Sequence, residues 1–390
     1  MKRLFSNLLF KVFLGIVLGI VFGLVLPESI NRVFATFNAF FGQFLNFSIP
    51  LIIMGLIMPA ISDLGRGAGK LLLLTAVIAY GSTLFSGFMT YFTASGIFPT
   101  LLESHAANAA GISETGKELL PYFSITIPPA LDVMTALVFA FVIGLGLSYQ
   151  EKSTLGGVVK DFQVIIMQLI EKVIIPLLPL YILGIFASMA FNGKVYSVLS
   201  VFVTIIGVIF ALHILLLIIQ YVIAGLLTKQ NPVRLLITML PAYFTALGTQ
   251  SSAATIPVTL EQALKNGVSK KIAGFVIPLC ATIHLSGSIM KIVACAMALM
   301  ILQGVPFSFT LFAGFIFMLG IAMVAAPGVP GGAIMAAIGI LQSMLGFDSE
   351  MQGLMIALYI AMDSFGTACN VTGDGAIALV VNRLTKQVAS

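Results

Sequence analysis

LLITMLPAYFTALGTQSSAATIPVTL, residues Leu235 to Leu260, is the stretch that decides the fold. Two apolar arms flank a polar centre, Thr249 to Ser252, and each arm is shorter than the roughly 20 apolar residues that a spanning helix requires. Pro241 and Pro257 interrupt the arms. Broken backbone at membrane depth must be shielded by protein or by a water-filled cavity. The pattern therefore predicts a re-entrant helical hairpin over residues 235–263.

A second stretch near the C-terminus has the same organisation. Residues 308–345 are apolar but contain AAPGVPGGA, Ala325 to Ala333, at their centre. Each hairpin is followed by an apolar span with a polar interruption: Thr282 to Ser288 within residues 272–302, and Gly366 to Gly375 within residues 351–381. The unit occurs twice, with the two copies inverted. Paired, interrupted segments of this kind mark the binding site of secondary transporters.

The composition of the whole chain is that of an integral membrane protein. Of its 390 residues, 59% are hydrophobic and 8% are charged, whereas soluble domains carry about 25% charged residues. This excludes a soluble enzyme and a nucleic-acid-binding protein, and the absence of long alternating segments argues against a barrel. We expect an all-α fold with two re-entrant hairpins and eight transmembrane helices over residues 8–26, 35–62, 71–97, 130–148, 163–191, 195–227, 272–302 and 351–381.

Basic residues set the orientation of these spans. If the spans alternate and each broken segment enters and leaves by the same face, fourteen lysines and arginines fall on one side of the membrane and three on the other, with Lys172 and Lys291 inside spans and not counted. Cytoplasmic loops carry the excess of basic residues. We therefore expect a multi-pass protein of the cytoplasmic membrane with both termini in the cytoplasm.

Two carboxylates lie in the last span, Asp363 and Asp374. A charged group at the bilayer centre costs about 2.5–3.5 kcal/mol, so it usually faces a cavity and has a partner. Asn370, Gly373 and Gly375 favour an unwound segment whose carbonyls join Asp374 in an oxygen site for Na⁺. The alternative is that Asp374 is solvated near the cytoplasmic surface.

Two basic side chains lie in the seventh span, Lys291 and His284, seven residues apart on one helical face. Each is predicted to balance one of the two aspartates or to carry a proton, although Lys291 has the alternative of snorkelling to the surface. Ser251 and Ser252 at the hairpin tip are predicted to bind a substrate carboxylate, or simply to cap the second arm. His213 is predicted to be a hydrogen-bonded core residue.

These motifs resemble the dicarboxylate/amino acid:cation symporters, the family of the glutamate transporters. The resemblance covers nearly the whole chain, and its marks are NVTGD (Asn370 to Asp374), GVPGG (Gly328 to Gly332), QSSAATIPVT (Gln250 to Thr259) and SIPLIIMGLIMPAISDLGRGAGK (Ser48 to Lys70). It implies a homotrimer in which a transport domain moves like an elevator against a scaffold. Here the single unit 1–390 would divide into scaffold helices at about 1–62 and 130–228 and a transport domain at about 71–97 and 232–385.

The resemblance also implies roles for individual residues. Asp363 would bind the substrate amine, and Asn370 its α-carboxylate. The implied substrate-binding set is Ser251, Ser252, Ser288, Gly331, Asp363, Gly366, Thr367 and Asn370. The implied Na⁺ ligands are Asp374 and the backbone carbonyls around Thr282, His284 and Asn370, and the residues implied in coupling are Lys291 and His284.

Several positions depart from the family pattern. Gly366 stands where transporters of acidic amino acids have an arginine, and Gln250 stands where some relatives supply it instead. An acidic side chain would therefore lose a bidentate partner. His284 begins the stretch that corresponds to the family's NMDGT, and the third-helix positions near Ile78 and Ala79 are apolar, so a deeper Na⁺ site is expected to be missing.

We therefore predict a secondary active symporter, not an enzyme, that moves a small amino acid with a neutral side chain. Coupling to a Na⁺ or H⁺ gradient is expected, with no cofactor, with membrane lipid around the protein and without a nucleic-acid partner. The alternative is an acidic amino acid or dicarboxylate recognised through Lys291. A channel, or an intramembrane enzyme using Ser251 or Ser252 with His284, is a remote alternative.

Overall fold

The computed structural model describes residues 8–65, 70–112, 119–150, 153–193, 195–326 and 330–389. Every regular element in these ranges is helical. The helices are α1 (Leu8–Val25), α2 (Glu28–Gly65), α3 (Lys70–Ile112), α4 (Val133–Ser148), α5 (Thr154–Leu169), a π-helical turn (Ile170–Ile174), α6 (Ile175–Phe191), α7 (Val195–Thr228), α8 (Pro232–Thr249), α9 (Ser252–Lys265), α10 (Lys270–Ile283), α11 (Ser286–Leu302), α12 (Phe309–Ala325), α13 (Gly332–Leu345), α14 (Ser349–Ala361) and α15 (Asp363–Ala389).

The eight predicted spans all correspond to helical segments. Within the described residues, six helical runs are long and apolar enough to cross a bilayer, and α14 with α15 forms a further span bent by 61°. α4 is apolar but has only 16 residues. α3 continues to Ile112, beyond the predicted end at residue 97. The all-α membrane fold is thus confirmed.

The first predicted hairpin is formed by α8 and α9, which pack against each other. The chain turns at Gln250, whose φ of 55° is left-handed, and at Ser251, whose hydroxyl accepts the Ala254 amide and caps α9. The second hairpin is formed by α12 and α13, which likewise pack together. Residues 327–329 at its tip, including Gly328 of the GVPGG motif, lie outside the described residues.

The last span breaks at a different place from the one predicted. The break falls at Met362, between α14 and α15, and α15 runs without interruption from Asp363 to Ala389. Gly373 allows close packing rather than unwinding, because a Cβ there would lie 2.7 Å from Gln220 Oε1. The predicted unwinding over Asn370 to Gly375 is therefore wrong.

α1 packs against α6 through a stripe of glycines, as small residues commonly allow in membranes. A Cβ at Gly15 would lie 2.6 Å from the Pro179 carbonyl oxygen. Gly15→Ala should therefore separate the two helices and cost about 1–3 kcal/mol, the range for overpacking. Differential scanning fluorimetry in detergent checks this. The matched control is Gly146→Ala on α4, where a Cβ meets nothing within 4 Å and no loss of stability is expected.

Candidate functional site

The site lies at the break between α10 and α11 and at the beginning of α15. Among the described residues, Asp363 and Asp374 are the buried acidic side chains, and Lys291, His213 and His284 are the buried basic ones. Burial of so many ionisable groups in an apolar bundle requires specific partners. The partners found below divide the site into two ion-pair regions joined by a hydrogen-bonded layer.

The first region is built around Lys291 and Asp363. Lys291 Nζ donates to Asp363 Oδ1 at 3.0 Å and lies 3.6 Å from the centroid of the Tyr359 ring, where cation–π attraction adds to the ion pair. The Gly331 amide at the start of α13 donates to Asp363 Oδ2 at 2.8 Å. Lys291 is fully buried, so it does not snorkel to the surface.

The glycine at position 366 gives the Lys291 side chain its space. A Cβ on Gly366 would lie 2.6 Å from Lys291 Nζ. The ammonium group therefore occupies the volume beside the position where the resemblance places an arginine in transporters of acidic amino acids. A cation is present at this point of the site, but it is contributed by α11 instead of α15.

The second region is built around His284 and Asp374. His284 Nδ1 lies 2.8 Å from Asp374 Oδ1, and its Nε2 lies 3.1 Å from the Ser82 hydroxyl oxygen. Gln220 Nε2 donates to the same hydroxyl at 3.1 Å. Asp374 is therefore buried and paired, and its predicted alternative as a solvated surface group is wrong.

Of the residues predicted around the Na⁺ site, His284 contacts Asp374 directly, whereas the side chains of Thr282 and Asn370 have other partners. Thr282 is exposed, and its hydroxyl donates to the Leu279 carbonyl at 2.8 Å. Asn370 lies inside the continuous α15, where a backbone carbonyl accepts the amide four residues on. Within the described residues no cluster of three His, Cys, Asp or Glu side chains is placed to hold a metal.

A layer of hydrogen bonds joins the two broken spans between the ion pairs. Asn370 Oδ1 accepts the Gly287 amide at 2.7 Å, and its Nδ2 donates to Ser288 Oγ at 3.1 Å. The Tyr359 hydroxyl also donates to Ser288 Oγ, at 3.0 Å, and His213 Nε2 donates to the Gly287 carbonyl at 3.0 Å. Both ends of the Asn370 amide are thus held by α11, and His213 has the core role that was predicted.

The tip of the first hairpin reaches α15 through Gln250. Its Nε2 donates to Ser364 Oγ at 2.8 Å, one residue from Asp363. Ser252, next to this tip, and Thr367, in the first turns of α15, are both buried. The resemblance implied one substrate-binding set that contains Gly331, Gly366 and Asp363, and in the structure Lys291 contacts Asp363 and lies beside Gly366, while the Gly331 amide donates to Asp363.

Sequence reasoning missed three polar residues that complete the site: Ser82, Gln220 and Tyr359. The third-helix group that contacts His284 is Ser82, one turn from the predicted Ile78 and Ala79. The sequence does contain a pattern that indicates Ser82, because Ser82, Ser86 and Thr90 recur every four residues and place a polar stripe on one face of α3. Gln220 and Tyr359 carry no comparable signal.

Two comparisons with known proteins bear on this geometry. A model of the sodium:dicarboxylate symporter family matches residues 8–384. An excitatory amino acid transporter from Caenorhabditis elegans is 27% identical over 271 residues, which cover 67% of this chain and 53% of that protein. The matched region thus spans about half the length of this relative.

Proposed function

Because the chain belongs to the sodium:dicarboxylate symporter family, we propose that it is a cation-coupled symporter for a small amino acid with a neutral side chain. The observation that supports this substrate class is the buried ion pair of Lys291 and Asp363. It presents one positive and one negative group, side by side, in a region closed off from solvent.

A zwitterion is the complement of such a pair. Its ammonium group replaces Lys291 at the Asp363 carboxylate, and its carboxylate replaces Asp363 at the Lys291 ammonium. Separating a buried pair without new partners leaves uncompensated charges at a cost of about 3–5 kcal/mol. A solute that brings both charges avoids this cost and forms charge-assisted hydrogen bonds on both sides. A neutral amino acid also leaves the net charge of the site unchanged.

The alternative substrate is an acidic amino acid or dicarboxylate, with the side-chain carboxylate on Lys291. It is favoured by the position of the Lys291 ammonium beside Gly366. The similarity to a protein named as an excitatory amino acid transporter points the same way. A dicarboxylate, however, brings no cation for Asp363, so two like charges would meet there.

We also propose the arrangement that the resemblance implies: a homotrimer of the cytoplasmic membrane, with an elevator motion and both termini in the cytoplasm. α1, α2 and α4 to α7 would form the scaffold, and α3 with α8 to α15 the transport domain. Packing supports this division for most helices, since α1 with α6 and α2 with α4 form one set of extensive contacts, and α3 with α11 and α8 with α15 form another. α7 departs from it, because this helix packs mainly against α15 and α8 of the proposed transport domain.

Solute counterflow in proteoliposomes tests the substrate class. Vesicles loaded with unlabelled alanine or serine should accumulate the labelled solute, and aspartate or succinate should compete at least about tenfold more weakly, a difference of about 1.4 kcal/mol. Equal or stronger competition by aspartate or succinate would favour the alternative substrate. Counterflow of none of these solutes would contradict both forms of the proposal.

A further inference from the structure

Each of the two buried carboxylates in the described part of the chain already has a basic partner from the same protein. Asp363 is paired with Lys291 and Asp374 with His284. We infer that these side chains stand where a co-transported inorganic cation would otherwise bind, so that transport does not require Na⁺. This inference rests on the proposed transport function and concerns its coupling ion.

The His284 ring blocks the oxygens around Asp374. Its two nitrogens contact Asp374 Oδ1 at 2.8 Å and Ser82 Oγ at 3.1 Å, so the ring lies between an oxygen of α15 and an oxygen of α3. A cation bound by both oxygens would have to occupy the volume of the imidazole. The ring is fully buried.

Both carboxylate oxygens of Asp363 also accept a hydrogen bond from the protein. Lys291 Nζ donates to Oδ1, and the Gly331 amide donates to Oδ2. The ammonium group is further held against the Tyr359 ring. An inorganic cation at this carboxylate would have to displace Lys291, which would leave a buried ammonium group without its partner.

Both basic partners move with the protein, and this distinguishes them from an ion taken up from solution. The carboxylates of the carrier without solute are already paired, so its return across the membrane needs no Na⁺ to neutralise them. A proton gradient then provides the driving force for symport.

Ion replacement in proteoliposomes with the wild-type protein is the direct test. When choline replaces Na⁺ on both sides, counterflow of the active solute should change by less than about twofold, whereas loss of a required bound ion would reduce it by about tenfold or more. A tenfold loss in choline would overturn the inference and leave the transport function intact. Counterflow of no solute in either medium would instead refute the proposed function on which the inference rests.

Two histidine variants test the role assigned to the ring. His284→Asn opens the volume beside Asp374 and adds an amide oxygen, so Na⁺, unlike choline, should raise its melting temperature. The matched control is His213→Gln, which alters a buried histidine that contacts the Gly287 carbonyl instead of a carboxylate and should show no Na⁺ response. Absence of a Na⁺ response in His284→Asn would contradict the blocking role, and if that variant does not fold, ion replacement in the wild type decides.

Discussion

Lys291→Met is expected to abolish transport and to destabilise the protein by about 3–5 kcal/mol, the usual cost of removing one partner of a buried ion pair. The substitution keeps an unbranched apolar stem of similar length but removes the charge. Asp363 then loses its 3.0 Å contact with the ammonium group but keeps the hydrogen bond from the Gly331 amide. Counterflow reports transport, and scanning fluorimetry reports stability.

A double variant separates the effect on stability from the effect on transport. Lys291→Met combined with Asp363→Asn removes both charges, so stability should recover in part while transport stays absent, because neither end of a zwitterion finds its partner. Lys172→Met is the matched control, since Lys172 also lies in an apolar run but is exposed. Transport by Lys291→Met with unchanged rate and unchanged cation dependence would overturn the role of the pair in both proposals.

Local sequence patterns were sufficient to predict the architecture. The polar centre of residues 235–263 and the Pro and Gly residues at the centre of residues 308–345 predicted the two hairpins, because broken backbone in a membrane needs a protein or water environment. The polar stretch from Thr282 to Ser288 predicted the interruption of the seventh span, and the break between Ile283 and Ser286 lies within it. These are properties of a single segment, so no knowledge of its neighbours was required.

The last span shows the limit of such reasoning. Gly373 and Gly375 predicted unwinding, but glycine also permits close helix packing, and the two cases look identical in one sequence. The decision depends on Gln220 and Tyr221 of α7, which approach these glycines from more than 150 residues away in the chain. For the same reason the sequence left open which aspartate pairs with Lys291.

The position of the break at Met362 determines which partners the two buried aspartates have. Because α15 begins at Asp363, its first residue faces both α11 and the start of α13, and Asp363 can join Lys291 to Gly331. Unwinding three turns later would have exposed carbonyls to a cation near Asp374. In the continuous helix those carbonyls are hydrogen-bonded, and the Asp374 carboxylate pairs with His284 instead. The predicted unwinding was the basis for the predicted sodium site, so the two predictions fail together.

Gly287→Ala should be the most damaging single-methyl change in the site. Its Cβ would lie 2.7 Å from the Gly366 carbonyl oxygen and 2.8 Å from Cys369 Cβ, atoms that cannot rotate away. Overpacking costs about 1–3 kcal/mol. Separation of α11 from α15 would also weaken the hydrogen bond from the Gly287 amide to Asn370, worth about 1 kcal/mol. We expect lower thermal stability and loss of counterflow together.

Gly274→Ala provides the comparison within the same broken span. Gly274 lies in α10, is exposed, and a Cβ there meets nothing within 4 Å. Replacing an unconstrained helical glycine by alanine should be neutral or stabilising by up to about 1 kcal/mol. If both variants behave alike, contact between the broken spans at Gly287 does not hold the site together. If only Gly287→Ala loses stability and counterflow, the geometry of Lys291 and Asp363 depends on the contact between α11 and α15 at Gly287. The reason is that Gly366 provides both the carbonyl that Gly287 contacts and the space for the Lys291 side chain.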